Sequence, residues 1–204
     1  MEKPAHTQYA IHELLRNRWS PRAFSEKPVS SETLGSLLEA ARWAPSCFNE
    51  QPWRFIVATK NRPQEYDALL ACMAQANQRW AERAPVLMLS VASLNFVRNG
   101  RPNRHAFHDV GLAVENMVLQ AQALGLAVHQ MAGFDVAKAR DSFKIPESFE
   151  PVAMIAIGYQ GDSEALPEDL REREDAPRTR NPMRNWVFRG TWGQSAVFSE
   201  KDRG

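Results

Sequence analysis

The segment that decides how this chain is interpreted is Ala44-Pro45-Ser46-Cys47-Phe48-Asn49-Glu50-Gln51-Pro52-Trp53-Arg54-Phe55. It joins a helical pattern to a short apolar run, and two prolines stiffen it, because each fixes φ and lacks an N–H. The loop carries a hydroxyl, a thiol and the carboxamides of Asn49 and Gln51. Carboxamides both donate and accept hydrogen bonds, which suits the edge of a planar heterocycle. A purely structural turn accounts for the same residues, so the loop alone leaves both interpretations open.

Composition is that of an ordinary soluble protein. The 204 residues suffice for one domain with a sizeable core, and 44% hydrophobic with 24% charged residues is average usage. A net charge of +1 gives no reason to expect nucleic acid or an anionic membrane as a partner. No apolar run is long enough to cross a bilayer and the polar start does not resemble a signal peptide, so we expect a cytoplasmic protein. Cys47 and Cys72 show neither metal-ligand nor CxxC spacing, which argues against a disulfide framework.

Hydrophobic periodicity predicts helices interleaved with four strands. The predicted helices are 9–17 with Thr7 as a candidate N-cap, 32–43 capped by Ser30 or Ser31, 63–82, 106–124, and a short helix from Asp135 to Phe143. The predicted strands are 55–59, 86–91, 126–131 and 152–159. This order indicates an α+β or α/β three-layer sandwich. GxGxxG and Walker A patterns are absent, which disfavours a Rossmann dinucleotide site and a P-loop NTPase.

An extended basic segment near the start is a candidate anion site. Arg18 and Arg22 flank Ser20, so two guanidiniums and a hydroxyl can face one anion. A solvated basic loop is the alternative. A second basic cluster, 178–189, contains Trp and Phe and could bind RNA, but the acidic run 162–175 beside it would repel a polyanion. We therefore expect no nucleic-acid partner.

A metal site is a weaker interpretation of another pattern. His105, His108 and Asp109 place metal-binding side chains within five residues at a helix start. The same pattern is more often a capped helix N-terminus, where an acidic residue in the first turn complements the helix dipole. We therefore expect no metal.

The last forty residues show no core element comparable to those before them. Acidic residues dominate 162–175, arginines follow, and Trp186, Phe188 and Trp192 would be exposed on a free tail. Such a tail is either disordered or packed on another surface, and its aromatic residues favour packing on a second subunit. We expect a core of residues 1–160 and an extension, 161–204, that belongs to the same domain and wraps the partner.

Together these segments resemble the FMN-dependent nitroreductase family. The matching motifs are Arg18-x-Ser20-x-Arg22-x-Phe24, Ala44-Pro45-Ser46-x-x-Asn49-x-Gln51-Pro52-Trp53, Asp109-x-Gly111-x-Ala113-x-x-Asn116 with Leu124-Gly125-Leu126, Gly133-Phe134, and Pro177-Arg178-Thr179-Arg180-Asn181-Pro182 followed by Trp192-Gly193. They occur in the expected order and cover nearly the whole chain. Each motif alone is weak evidence, but five in register identify the family.

The resemblance implies an α+β fold of nitroreductase type, a three-layer α-β-α sandwich around a mixed, mostly antiparallel sheet. It implies a homodimer with two FMN sites at the subunit interface and a C-terminal tail that adds a strand to the partner's sheet. The implied activity takes a hydride from NADH or NADPH and reduces nitroaromatic, quinone or similar acceptors in a ping-pong cycle. The flavin carries this chemistry, so no side chain acts as a catalytic nucleophile.

The resemblance also implies which residues contact the flavin: Arg18, Trp19, Ser20, Arg22, Pro45, Ser46, Cys47, Asn49, Gln51, Met131, Ala132, Gly133, Arg178 and Arg180. Arg18, Arg178 and Arg180 would hold the phosphate, since planar guanidiniums pair with its oxygens. Ser20 and Arg22 would line the pyrimidine edge, where a cation near N1 stabilises reduced flavin. A backbone N–H of 131–133 would approach the reactive N5. The other subunit would contribute Pro45, Ser46, Cys47 and Asn49.

Three residues depart from the pattern of the family. Cys47 stands where many members have Ser, and a packing role is favoured over a thiol contact with the flavin. Ala132 stands where some members carry Glu, which leaves the acceptor preference open. Trp19 replaces smaller or polar residues and packs either near the ribityl chain or on the dimer interface. Candidate contacts for the 2′-phosphate of NADPH are Arg98, Arg101 and Arg104.

Two further functions remain open within this family. The protein could bind FMN for sensing or flavin handling without turning over a substrate, or it could act on a specialised substrate such as an enone or a halophenol. The segments 64–83 and 95–104, where members differ in how they cover the substrate, are short here. A short cover favours an open pocket and broad acceptor choice.

Overall fold

The computed structural model describes residues 2–196 and 198 and is built on a four-stranded sheet. The strands are β1 (Trp53–Thr59), β2 (Val86–Ser93), β3 (Ala127–Met131) and β4 (Phe149–Gly158). Their order is β1-β2-β4-β3, and every neighbouring pair within the described residues is antiparallel, where a mixed sheet had been expected. β2 is buried along its whole length, which confirms its predicted central position.

Helices cover both faces of the sheet. The described helices are α1 (Glu13–Asn17), α2 (Ser31–Arg42), α3 (Pro63–Cys72), α4 (Gln75–Ala81), α5 (Ala106–Ala123), α6 (Val136–Phe143) and α7 (Glu168–Asp175). Side chains alternate along β2, so Leu87 and Leu89 enter one core with α3, α4 and α6, while Val86 and Met88 enter the other with α2 and α5. The predicted three-layer α+β sandwich is confirmed.

The longest helix, α5, carries the broad apolar face predicted for it. Its residues at helical spacing from Ala106 to Ala121 are buried against α2 and the sheet. Two side-chain hydrogen bonds support this packing: Asn116 donates to the carbonyl of Ala40 at 3.2 Å, and Gln120 donates to the hydroxyl of Ser36 at 3.0 Å. None of the helices in the described residues is both long and apolar enough to cross a membrane.

Two predicted helices differ from the structure. The first begins at Glu13 and its N-cap is His12, because residue 5 turns back and donates its N–H to the carbonyl of Arg16, which keeps the preceding residues out of the helix. The predicted helix 63–82 is broken at Met73, which pairs with Phe134 in an isolated β-bridge. Composition does not reveal this break, since a tertiary contact causes it.

The beginning of the C-terminal segment packs on its own subunit. α7 lies in the region where we expected no core element, and Leu166 and Leu170 join the core that also contains α3 and α4. Beyond it, Trp186 and Trp192 are exposed, and Phe188 pairs with Ser195 in an isolated bridge. The end of the expected extension 161–204, namely 197 and 199–204, lies outside the described residues. Wrapping around a partner stays a prediction.

Candidate functional site

A basic cavity of about 310 Å³ lies between the segment 18–22 and the C-terminal segment. Its lining includes the site residues predicted in both segments: Arg18, Trp19, Ser20, Arg22, Arg178 and Arg180. Residues more than 150 positions apart in sequence therefore face one space. A larger cavity of about 500 Å³ is also lined by Arg18, Arg178 and Arg180, and in addition by Tyr9, Ile11 and Trp186.

The arginines of this cavity form a positive cluster. Among the described residues, no carboxylate pairs with Arg18, Arg178 or Arg180. Burial lowers the pKa of Arg178 below its usual value, and the charges of Arg18 and Arg180 lower it further. Arg178 donates to the carbonyl of Arg16 at 3.0 Å and to that of Lys3. Three neighbouring guanidiniums repel one another unless an anion lies among them, so the cluster fits a phosphate group.

His129 on β3 holds the segment 20–22 from the side of the sheet. Its Nδ1 donates to the carbonyl of Pro21 at 2.8 Å, and its ring packs against that of Trp80 with centroids 4.5 Å apart. Burial lowers the pKa of His129 to about 4, and the positive charges of Arg22 and Arg18 act in the same direction. The imidazole is therefore neutral near pH 7 and keeps the donor that this hydrogen bond needs.

Glu174 on α7 holds the same segment from the other side. It is 1% exposed, and its carboxylate accepts hydrogen bonds from the backbone N–H groups of Arg22 and Ala23. Sequence analysis missed both Glu174 and His129. A signal for Glu174 existed: it follows the apolar Leu170 by four residues, which places one carboxylate of an acidic run on the buried side of the helix.

A short segment connects β3 to α6. Met131 is buried, whereas Ala132 and Gly133 are exposed. The Gly133 carbonyl accepts from the N–H of Ala74 and from Nδ2 of Asn77, both at 2.9 Å. A Cβ at Gly133 would lie 2.8 Å from that amide nitrogen, so a larger residue would displace the Asn77 side chain. Within the part of the chain that the structure describes, the Gly133 N–H has no acceptor, which leaves a donor for a ligand.

The loop between Pro45 and Pro52, the proline-bounded loop, is held by a hydrogen bond to α5 and by another within the loop. Asp109, 2% exposed, accepts a hydrogen bond from the backbone N–H of Cys47 at 2.9 Å. The hydroxyl of Ser46 accepts from the N–H of Gln51 at 3.0 Å, which closes the loop. Pro45 at its start is exposed, and the Cys47 thiol is half-buried. The family motif around Asp109 is thus explained by a contact that shapes this loop.

Strain is concentrated in the same loop. Phe48, Asn49 and Gln51 have φ of 55°, 57° and 52°, in the left-handed region that non-glycine residues rarely adopt. Phe48 is 70% exposed, so burial of its ring does not offset this cost. The guanidinium of Arg98 lies 3.9 Å from the centroid of that ring. The ring of Phe96 packs against it edge to face, with the two centroids 6.1 Å apart. Strained residues that stay exposed are typical of sites that contact a ligand or a partner.

The two sets of predicted flavin contacts lie at opposite edges of the sheet. The proline-bounded loop leads into β1, whereas His129 ties the segment 20–22 to β3. β1 and β3 are the two outer strands, three strand spacings or about 14 Å apart. One chain therefore presents the two sets at opposite edges of the sheet, which is the arrangement expected if a second subunit completes each site.

The side chains of His108 and Asp109, considered above with His105 as metal ligands, make other contacts in the structure. His108 contacts the carboxylate of Asp109 at 3.0 Å, and this carboxylate also serves the Cys47 N–H. Among residues 2–196 and 198, no group of three or more His, Cys, Asp or Glu side chains is arranged to hold a metal ion. One oxygen of Asp109 contacts His108 and the other accepts the Cys47 N–H, so Asp109 acts as a structural anchor for the loop.

Comparison with known proteins identifies the family. The sequence profile of the nitroreductase family matches residues 15–159. An uncharacterized 15.4 kDa protein of Mycolicibacterium smegmatis is 32% identical over 146 residues, covering 69% of this chain and 97% of that protein. A protein of Stenotrophomonas maltophilia, provisionally named NADH dehydrogenase/NAD(P)H nitroreductase, is 28% identical over 77% of this chain and 88% of its own.

Solved structures agree with this assignment. A crystal structure described as an oxidoreductase containing FMN has a TM-score of 0.87 at 34% identity and covers 93% of this chain and 96% of its own. A nitroreductase family protein of Clostridium difficile has a TM-score of 0.66 at 27% identity, covering 87% and 96% of the two chains. The chain belongs to the nitroreductase family and has its fold.

Proposed function

We propose that this protein is an FMN-dependent oxidoreductase that takes a hydride from NADH or NADPH and reduces nitroaromatic, quinone or similar acceptors by a ping-pong mechanism. The observation that carries the proposal is the cavity in which Arg18, Arg178 and Arg180 face the segment bearing Ser20 and Arg22. FMN, when bound, supplies the hydride and electron transfer. The remaining chemistry is binding, orientation and electrostatic stabilisation by the protein.

The three arginines would bind the phosphate of FMN. Their charges lie close enough for Arg18 and Arg180 to lower the pKa of Arg178, and no described carboxylate neutralises them. A phosphate dianion would remove this repulsion and accept charge-assisted hydrogen bonds from guanidinium forks. Arg180 donates only to the carbonyl of its neighbour Thr179 among the described contacts, so few acceptors compete with a phosphate for its guanidinium.

Arg22 would stabilise the negative charge that reduced flavin carries at its pyrimidine edge. Its backbone is fixed by Glu174, so its guanidinium starts from a defined position. Ser20 would hydrogen-bond to the same edge, and the free N–H of Gly133 would approach the redox-active part of the ring. These groups stabilise charge through positions fixed before the ligand binds, which is how an enzyme accelerates hydride transfer without a side-chain nucleophile.

A homodimer would complete each site. The loop 45–51 lies at the sheet edge opposite to the segment 18–22, so the loop of one subunit would meet the arginine cavity of the other. Exposed apolar side chains favour such an interface; they include Ile11, Leu15, Phe107, Leu124 and Trp186. Such a dimer would bind two FMN molecules, in the cytoplasm.

A mixing experiment tests whether two chains share each site. One variant would carry Arg18→Ala and Arg180→Ala, the other Asn49→Ala and Gln51→Ala, and each would be inactive alone. In a mixed dimer the defects fall on one site, and the second site is intact. Random subunit exchange should therefore restore about one quarter of wild-type activity. Activity that stays absent, with exchange confirmed by mass spectrometry, would refute the shared site.

Steady-state kinetics test the rest of the proposal. With NADH or NADPH and a nitroaromatic or quinone acceptor varied together, a ping-pong mechanism gives parallel double-reciprocal lines. Binding of FMN without reduction by either nucleotide would instead support a sensing or flavin-handling role. One strongly preferred enone or halophenol would identify a specialised reductase.

A further inference from the structure

We propose that Glu174 is a positioning residue that fixes Arg22 for its contact with the flavin; this inference rests on the function proposed above. Glu174 is 1% exposed and lies in the last turn of α7. Its Oε2 accepts the N–H of Arg22 at 2.8 Å, and its Oε1 accepts the N–H groups of Arg22 and Ala23, both at 3.1 Å. Both oxygens of the carboxylate are thus hydrogen-bonded by the backbone of a segment more than 150 residues away.

The charge of Glu174 is compensated by backbone donors and not by a cation. Lys3 lies nearby, but its ammonium donates to the carbonyls of Glu174 and Ala176, not to the carboxylate. Burying a carboxylate is costly unless its oxygens receive hydrogen bonds. A carboxylate accepts at both of its oxygens, whereas a carboxamide accepts at only one of its two polar atoms.

The contacts clamp a single peptide unit at both ends. The carbonyl of Pro21 and the N–H of Arg22 belong to the same planar peptide group. His129 donates to that carbonyl at 2.8 Å, while Glu174 accepts from that N–H. A peptide plane held on opposite sides cannot rotate, so the direction in which the Arg22 side chain leaves the backbone is set.

The same carboxylate connects the two halves of the basic cavity. Glu174 precedes Arg178 by four residues and Arg180 by six, on the chain that leaves α7 and runs along the cavity. The hydrogen bonds to Arg22 and Ala23 therefore fix the start of the phosphate-binding segment relative to the ring-binding segment. Because this distance has to match the span of one ligand, loss of the anchor should affect ligand affinity as well as the role of Arg22.

The test compares Glu174→Gln with Glu172→Gln, a matched change of an exposed glutamate on the same helix. FMN affinity is measured by fluorescence titration, and the midpoint potential of the bound flavin is measured at saturating FMN. We expect Glu174→Gln to raise the FMN Kd by about tenfold, the loss of roughly one charge-assisted contact. Glu172→Gln should leave both quantities at wild-type values.

The potential separates positioning from charge when Arg22→Ala is added. Removing a buried negative charge raises the potential in any background, whereas misplacing Arg22 lowers it only where Arg22 is present. The shift caused by Glu174→Gln should therefore be more negative in the wild-type background than in Arg22→Ala. Equal shifts in the two backgrounds would overturn the proposal and leave Glu174 a structural residue.

Hydrogen exchange on the unmodified protein supplies a test that does not depend on a variant folding. The amides of Arg22 and Ala23 should be protected in FMN-free protein, because their acceptor is buried and present before the ligand binds. Rapid exchange at both amides would contradict the clamp. Wild-type protein that binds no FMN would refute the proposed function, whereas FMN binding with unprotected amides would refute only the role of Glu174.

Discussion

The half-buried imidazole of His129 should make the stability of this protein fall in mild acid. Burial lowers the pKa of His129 in the folded protein from the ordinary 6.5 to about 4, with Arg22 and Arg18 contributing through their charges. The unfolded chain therefore binds more protons than the folded chain between these two values. The contribution of His129 to the free energy of unfolding of the protein is therefore highest above pH 6.5 and decreases as the pH falls toward 4.

The size of this effect follows from the two pKa values. A complete shift of this size corresponds to about 3 kcal/mol, and between about pH 7.5 and about pH 5 the loss is about 2 kcal/mol. At the acid end, protonated His129 would keep its hydrogen bond to Pro21 but would place a third positive charge beside the two arginines. The stability loss and a weaker hold on the segment 20–22 should therefore appear together.

Denaturant unfolding of wild type and His129→Gln at these two pH values is the assay. Glutamine keeps an N–H that can donate to the Pro21 carbonyl but does not titrate, and contributions from all other groups cancel in the comparison. Wild type should lose about 2 kcal/mol more than the variant on going to the lower pH. Equal losses in the two proteins would show that His129 is not held neutral by its surroundings.

Four further variants test the site. Arg180→Ala should raise the FMN Kd by about tenfold without changing thermal stability, whereas Arg178→Ala should both raise the Kd and lower thermal stability, because it also removes hydrogen bonds to the carbonyls of Lys3 and Arg16. FMN titration and calorimetry measure the two quantities, and equal behaviour of the two variants would contradict this division of roles. Arg22→Ala should slow flavin reduction in stopped flow more than it weakens FMN retention, and reloaded protein that is reduced at the wild-type rate would exclude the proposed N1 contact. Asp109→Ala should lower the free energy of unfolding by about 1–3 kcal/mol and speed labelling of Cys47 by a thiol reagent, because the loop loses its anchor; an unchanged labelling rate would argue against that anchor.

Local signals in the sequence predicted most of the fold. Ser30 caps α2, Asp135 caps α6, and the four strands lie within three residues of their predicted bounds. These features depend on hydrophobic periodicity and on capping side chains, which act over a few residues. The break near Met73 and the late start of α1 depend on contacts with distant segments, and a local pattern carries no information about them.

The candidate site was predictable to the extent that it repeats family motifs. The arginines at 18, 178 and 180 do line one cavity, although composition alone allowed a solvated basic loop. Glu174 and His129 were missed, because a buried carboxylate in an acidic run and a histidine within a strand look like surface residues until the fold supplies their partners. The positive φ values at Phe48, Asn49 and Gln51 were equally hidden, since no glycine marks them and the motif that includes Asn49 and Gln51 carries no information on backbone conformation.

The most direct test of the account is the visible absorption spectrum of the purified protein, recorded before and after anaerobic addition of NADH and then NADPH. The account predicts flavin bands, either as isolated or after incubation with FMN, and their bleaching by at least one nucleotide. Protein that stays colourless and cannot be loaded with FMN would contradict it, and the arginine cavity would need another anion. Bound flavin that neither nucleotide bleaches would retain the site but remove the proposed reaction.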